Sequence, residues 1–374
     1  MVDWYQGMGL RLSLLGRPHV REARLWRPVS GRDGWVECYL CHRRCLIAPG
    51  KYGVCGVRLN VEGRLYTLVY GLLTAVNLDP IEKKPLTHFY PASSVVSIST
   101  VGCNFFCKFC QNWEISQSRL ERGLAGVQFT PERIVELALA YEAQGITYTY
   151  NEPTIFYEFL EDTARLAHKR GLFNTMVTNG YMTPEAVDQL GNLMDAATVD
   201  FKGGGDREFY NKIMNVRDPE LIYETLIAMR DKGWWIEVTN LVVPRYGDNP
   251  ENIRRMARWI ADNLGPETPF HLLRFHPDYK LTDVPWTPVQ TLEKLAKIAI
   301  EEGLKHVYIG NVPGHPLEHT YCPNCGYKVI ERYGFTITEY KLKEDNRCPR
   351  CGYKLNIRGH YVGRSTGYPI PLMW

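Results

Sequence analysis

The sequence predicts an α/β fold, with a largely parallel sheet and its helices flanked by two small cysteine-bearing modules. Three observations predict it. Strand-like runs alternate with amphipathic helical patterns from about residue 92 to 315. Four cysteines crowd into Cys38, Cys41, Cys45 and Cys55 before that stretch. Two Cys-Pro-x-Cys-Gly knuckles follow it. The expected segments are 1–91, a cysteine-rich N-terminal region; 92–315, the α/β core; and 316–374, a ribbon and tail.

Within the core, β-branched and aromatic runs place strands at 94–101, 146–151, 173–178, 195–201, 235–243 and 270–275, and a further strand at 306–310. Between them lie helical patterns such as Pro131 to Tyr141, Pro184 to Leu193 and Asn252 to Ile260. This alternation gives right-handed βαβ units. A doubly wound sheet and a barrel look alike at this level. In either, ligand chemistry gathers at the carboxyl ends of the strands.

The bulk numbers set limits. A hydrophobic share of 45% and a charged share of 23% are those of an ordinary globular chain of 374 residues. No apolar run approaches the roughly 20 residues that span a bilayer. Arg11 and Arg17 bracket only a short apolar patch, so no secretory signal is read and the cytoplasm is expected. Residues 1–60 carry ten Lys/Arg against four Asp/Glu, and 321–374 carry nine against four. Basic ends admit nucleic acid as a partner. However, four thiolates around a divalent metal offset part of that excess, so surface and metal neutralisation are expected instead.

The 11 cysteines divide into sets of four, three and four with none left over, a pattern of metal sites in a reducing compartment. The middle set is Cys103, Cys107 and Cys110, in Gly102-Cys-Asn-Phe-Phe-Cys-Lys-Phe-Cys-Gln-Asn112, just after the first strand. Three thiolates hold three corners of a cubic 4Fe-4S cluster and leave the fourth iron open, whereas structural zinc wants four ligands. Two other readings exist: three buried thiols on one helix face, or zinc with a distant fourth ligand. Gly102, Asn104 and the preceding strand disfavour the helix.

Polar residues stand at the expected strand ends. Glu152, in Tyr148-Thr-Tyr-Asn-Glu-Pro153, can accept a hydrogen bond from an ammonium group, or merely cap the next helix. Thr178 and Asn179 offer hydroxyl and amide groups, although Asn-Gly is also a common turn. Asp200 and Lys202 are two apart and share one side of a strand, either as a site or as a structural ion pair. His276 ends the sixth strand before a proline, and Arg245, Arg274 and Asn311 are further polar candidates that no motif isolates.

The C-terminal knuckles, Cys322 with Cys325 and Cys348 with Cys351, are a four-thiolate signal separated by an alternating, strand-like interval. A zinc ribbon is expected, because a unit too small to bury its own core needs a metal staple; rubredoxin-type iron uses similar knuckles. The N-terminal set, Cys-x2-Cys-x3-Cys-x9-Cys, admits zinc or a second cluster, with the balance toward zinc, and His42 could replace one thiolate.

The triad, with aromatic Phe109 before its last cysteine, resembles the signature of radical S-adenosylmethionine (SAM) enzymes. Taken with Gly53-Val-Cys-Gly-Val-Arg58, Tyr148 to Pro153, His271 to Pro277 and Tyr308 to Gly314, the chain resembles the radical SAM enzymes of the AmmeMemoRadiSam system. These are relatives of pyruvate formate-lyase activating enzymes. The resemblance implies an open, partial (β/α)6 barrel and a 4Fe-4S cluster whose open iron chelates SAM. One electron then splits the sulfonium, and the resulting 5′-deoxyadenosyl radical abstracts a hydrogen atom. Glu152 resembles the acid of the activase "GGE" segment that meets the SAM amine, with Tyr150 and Asn151 in place of its two glycines. Lys202 resembles the "DLK" lysine that meets the carboxylate, and His276 the histidine near the nucleoside. Phe109, Thr178, Asn179 and Asp200 complete the expected cofactor site. An electron donor such as a ferredoxin or flavodoxin is implied, with a protein or small molecule as substrate. An RNA-modifying enzyme and a non-catalytic metal scaffold are the alternatives.

Overall fold

The computed structural model describes residues 15–118, 126–365 and 367–373. One nine-stranded sheet dominates it. In chain order its strands are β1 (Ala75–Pro80), β2 (Ser94–Ser99), β3 (Gly145–Tyr148), β4 (Phe173–Thr178), β5 (Ala196–Lys202), β6 (Trp235–Val242), β7 (Phe270–Arg274), β8 (Val307–Gly310) and β9 (Ile370–Pro371). Strands β2 to β8 are parallel, and each lies beside its predecessor in the chain. Right-handed crossovers that always advance the same way put every helix on one face. That distinguishes an open barrel from a doubly wound sheet, and the barrel is what forms. The sequence did not announce the edge: β1 pairs antiparallel with β2, and β9 with β1.

The outer helices start where local chemistry dictates. The pairs Thr130-Pro131, Thr183-Pro184 and Asn249-Pro250 each place a capping side chain before a proline at the first helical position. They open α1 (Pro131–Ala140), α3 (Pro184–Leu190) and α6 (Pro250–Asn263); α2 (Tyr157–Lys169), α4 (Arg207–Met214), α5 (Leu221–Asp231) and α7 (Val289–Glu301) complete the layer. Among the described residues no helix is long and apolar enough to cross a membrane.

The segment after β1 crosses the concave face near the amino ends of the strands and closes it. Glu237 of β6 accepts from Thr87 N (3.0 Å), Thr87 Oγ1 (2.8 Å) and His88 N (2.8 Å), while His271 Nε2 of β7 lies 2.8 Å away. His88 Nε2 meets the Tyr308 hydroxyl at 2.6 Å. Arg332, from the C-terminal ribbon, donates to Thr320 Oγ1 (2.7 Å) and to the Thr87 carbonyl (3.1 Å). The barrel therefore has a polar, hydrogen-bonded floor that the ribbon braces.

This floor makes stability pH-dependent. Burial holds His88 well below its usual 6.5 and His306 at about 4, so both stay neutral in the fold. Hydrogen bonding to His271 and His88 holds Glu237 at about 2 despite its burial. Each folded value lies below the unfolded one, so each contribution is present above the unfolded pKa and lost as pH falls. Stability should decline from about pH 6.5 as the histidines claim protons, and again from about 4.5 toward 2 as Glu237 does. Urea midpoints measured from pH 7.5 down to about 2.5 check this. The variant His306→Phe should flatten the upper step by roughly 3 kcal/mol, and an unchanged slope would contradict it.

Candidate active site at the open end of the sheet

The triad loop leaves the carboxyl end of β2, and side chains from the neighbouring strand ends tie it down. Asn151 Nδ2, after β3, donates to the Gly102 carbonyl at 2.9 Å. Asn179 Nδ2, after β4, donates to Asn104 Oδ1 at 2.7 Å. Asn112 Nδ2 donates to the Tyr150 carbonyl at 2.8 Å, and Gln111 Nε2 meets His276 Nε2, beyond β7, at 2.6 Å. Lys280 N donates to the Lys108 carbonyl at 2.7 Å, and Trp113 stacks on Tyr279 at 5.1 Å.

Burial pushes all three thiols up, Cys103 well above 9 with help from nearby Glu152, and Cys107 to about 12 with help from Cys110. Thiols so desolvated ionise only if a cation takes the proton's place, so the donor set fits a metal cluster. Their sulfurs are not among the groups drawn within 4.8 Å of one another, which describes the ribbon's four alone among the described residues. Two buried amide atoms beside the loop, Asn104 Nδ2 and Asn151 Oδ1, have no protein partner.

Several of the remaining candidates lie around the same loop, whereas Arg274 turns to Thr287 and Trp286, and Asn311 to the Arg274 carbonyl. Asp200 pairs with Lys202 and accepts from Thr239 of β6, and Lys202 is close enough to Cys107 and Cys110 to favour their thiolates. Phe109 is buried between Phe209 (5.9 Å, stacked) and Phe275 (6.2 Å, edge-on). Glu152 is occupied: it accepts from Thr154 N (3.0 Å), Thr154 Oγ1 (2.5 Å), Thr178 Oγ1 (2.8 Å) and Asn179 N (2.8 Å). The capping alternative is thus realised, and Glu152 clamps the ends of β3 and β4 together. The strand expected to reach residue 151 stops at Tyr148, because Tyr150 adopts φ 69° and points its hydroxyl at Asp79 and Asn77. Gln111, Asn112 and Asn151 were not singled out by sequence. Their only signal was adjacency to the triad or to Glu152.

The ribbon has three antiparallel strands (Thr320–Tyr321, Lys328–Tyr333 and Thr336–Tyr340), with one knuckle in the turn after the first and the other beyond the third. Each knuckle closes alike: Gly326 N donates to the Cys322 carbonyl and Gly352 N to the Cys348 carbonyl, both at 2.9 Å. Cys322 and Cys351 sulfurs lie 3.5 Å apart, Cys325 and Cys348 3.7 Å. A tetrahedral ion with bonds of about 2.3 Å asks for sulfurs about 3.8 Å apart, so this set could hold a single metal ion. His42 is engaged elsewhere, 3.1 Å from Thr225 Oγ1 and edge-on to Tyr181, and replaces no thiolate.

An open α/β barrel with a three-thiol loop at its carboxyl end defines a class, and the chain belongs to it: residues 97–260 match the radical SAM superfamily. The protein MJ0808 of Methanocaldococcus jannaschii, itself uncharacterized, is 49% identical over 316 residues, covering 84% of this chain and 92% of that protein, so the two share a family. The pyruvate formate-lyase 1-activating enzyme of Escherichia coli is 23% identical over 225 residues, 55% of this chain and 89% of the enzyme. The pyruvate formate-lyase-activating enzyme of Clostridium pasteurianum is 24% identical over 215 residues, 52% and 86% respectively. Superfamily membership implies a 4Fe-4S cluster and SAM.

Proposed function

We propose that this chain cleaves SAM reductively and removes a hydrogen atom from a protein or small-molecule substrate entering at the carboxyl ends of the strands. The closest description of that role is the AmmeMemoRadiSam type of activating-enzyme relative. The observation that carries it is the half-buried triad, tethered by side chains from three other strand ends. When bound, the cluster and SAM supply a carbon-centred radical. The chain's own residues do the positioning. Lys202, oriented by Asp200, would hold a carboxylate; Thr178 and Asn179 would serve hydroxyl groups; Phe109 and His276 would serve the nucleoside; Glu152 keeps the two loops in register. Zinc in the ribbon, a ferredoxin- or flavodoxin-like donor and a cytoplasmic setting complete the proposal.

The test is direct. Anaerobically reconstituted protein with SAM and dithionite should release 5′-deoxyadenosine and methionine, and none above background ends the reading. In the same assay Lys202→Ala should weaken SAM binding by roughly tenfold to a hundredfold, the worth of a hydrogen bond to a charged group. Unchanged affinity would remove Lys202 from the site.

A further inference from the structure

The four N-terminal cysteines are assembled by packing that the spacing alone did not reveal. Cys38 and Cys45 face each other on paired strands, Val36–Cys38 and Cys45–Ile47. Cys41 bridges to Met182 beyond β4, and each of the four thiols lies within electrostatic reach of the other three. Yet these sulfurs, unlike the ribbon's, are not gathered within 4.8 Å of one another. A tetrahedral zinc would need sulfurs about 3.8 Å apart, as the ribbon has. What marks the set out is its packing directly against the triad loop, where a redox partner is useful and a structural ion is not.

Its placement is equally specific. Gly102, bonded to Cys103, has φ 93°, and a Cβ there would lie 2.8 Å from the Cys55 carbonyl oxygen and 2.7 Å from Val57. Only glycine lets the two loops touch. On the other side of the triad cysteine, Arg43 Nε donates to the Asn104 carbonyl at 2.9 Å, and Arg43 belongs to the turn between Cys41 and Cys45. Both contacts land beside Cys103. Arg58, whose charge Glu158 balances, also donates to Cys38 Sγ at 3.6 Å, a hydrogen bond that a thiolate there would strengthen. Cys45 and Cys55 are half-buried, which brings one edge of the set to the surface.

We infer that Cys38, Cys41, Cys45 and Cys55 hold a second 4Fe-4S cluster, closed by four thiolates, that passes electrons to the cluster on Cys103, Cys107 and Cys110. With no open iron it binds no substrate, and its chemistry is one-electron transfer alone. A low-potential one-electron carrier protein is oxidised as the N-terminal cluster is reduced. That cluster is reoxidised as the triad's cluster is reduced; no bond forms or breaks and no proton moves. The relay role rests on the proposed function, but the presence of the cluster does not.

Iron and acid-labile sulfide are therefore counted first, on the anaerobically reconstituted full chain. Wild type should hold about eight of each, and Cys103→Ala/Cys107→Ala/Cys110→Ala about four of each. Adding Cys38→Ala and Cys55→Ala to that variant should remove the rest. A triad variant with zinc and no sulfide, or a wild type with only about four sulfides that vanish with the triad, overturns the cluster. Protein lacking only the triad's share would instead count against the proposed function. For the relay, Cys45→Ala in the wild-type background should lower SAM cleavage at least tenfold with a reduced protein carrier. It should leave cleavage by dithionite, which reaches the triad directly, nearly intact. Equal losses with both reductants overturn the relay.

Discussion

Replacing Cys107 with alanine should abolish 5′-deoxyadenosine formation and remove about four iron and four sulfide per chain relative to wild type. The expectation follows from ligand count. The triad supplies three thiolates from one loop, and the other eight cysteines lie in the flanking sets. Burial penalises a bare thiolate at Cys107, and nearby Lys202 relieves only part of that penalty. Losing one corner therefore leaves two desolvated thiols and an iron with no protein ligand. The equivalent change in the ribbon, Cys351→Ala, should cost a metal ion but leave SAM cleavage measurable, because the ribbon braces the barrel floor at the amino ends of the strands. If Cys107→Ala retains both iron and turnover, the triad is not the cluster site.

The largest expected effect on stability is at Glu158. Its carboxylate, on α2, meets Arg58, and both side chains are almost fully buried, at 4% and 1% exposure. Arg58 also donates to the Arg24 carbonyl at 2.8 Å, and Arg24 N donates back to Glu158 at 2.8 Å. Glu158→Ala leaves a guanidinium buried beside Cys38 without its counterion, which typically costs about 3–5 kcal/mol. Breaking the exposed Arg133–Glu136 pair with Glu136→Ala should cost under about 1 kcal/mol, because solvent already screens it. Urea midpoints compare the two. Hydrogen exchange should show the loss first in residues 36–58, the module that Arg58 pins to α2. Similar midpoints for the two variants would mean the inner pair is solvated.

Much of the barrel was legible because its parts are local. The β-branched runs, the capping residues before prolines and the triad are all written in short windows, and the parallel strands form near where those windows place them. What escaped is what depends on distant partners. Nothing near Ala75 announces an antiparallel strand, since its partners Ser99 and Leu372 lie far along the chain. Lys84 reads as a solvated surface charge but is buried against Asp79, at 2.5 Å, with Tyr150 beneath it at 4.5 Å. Glu152 lies just past the end of β3, and the four donors that occupy it come from its own loop and the end of β4, which a linear reading cannot bring together. The tethers from Asn151, Asn179 and Gln111 share that origin. Amides at strand ends are unremarkable in sequence and become informative only when several point at one loop.

The segment carrying Thr87 and His88 stoppers the barrel at the amino ends of its strands. A reaction run at the opposite ends, as proposed above, would have to draw its reactants from that side.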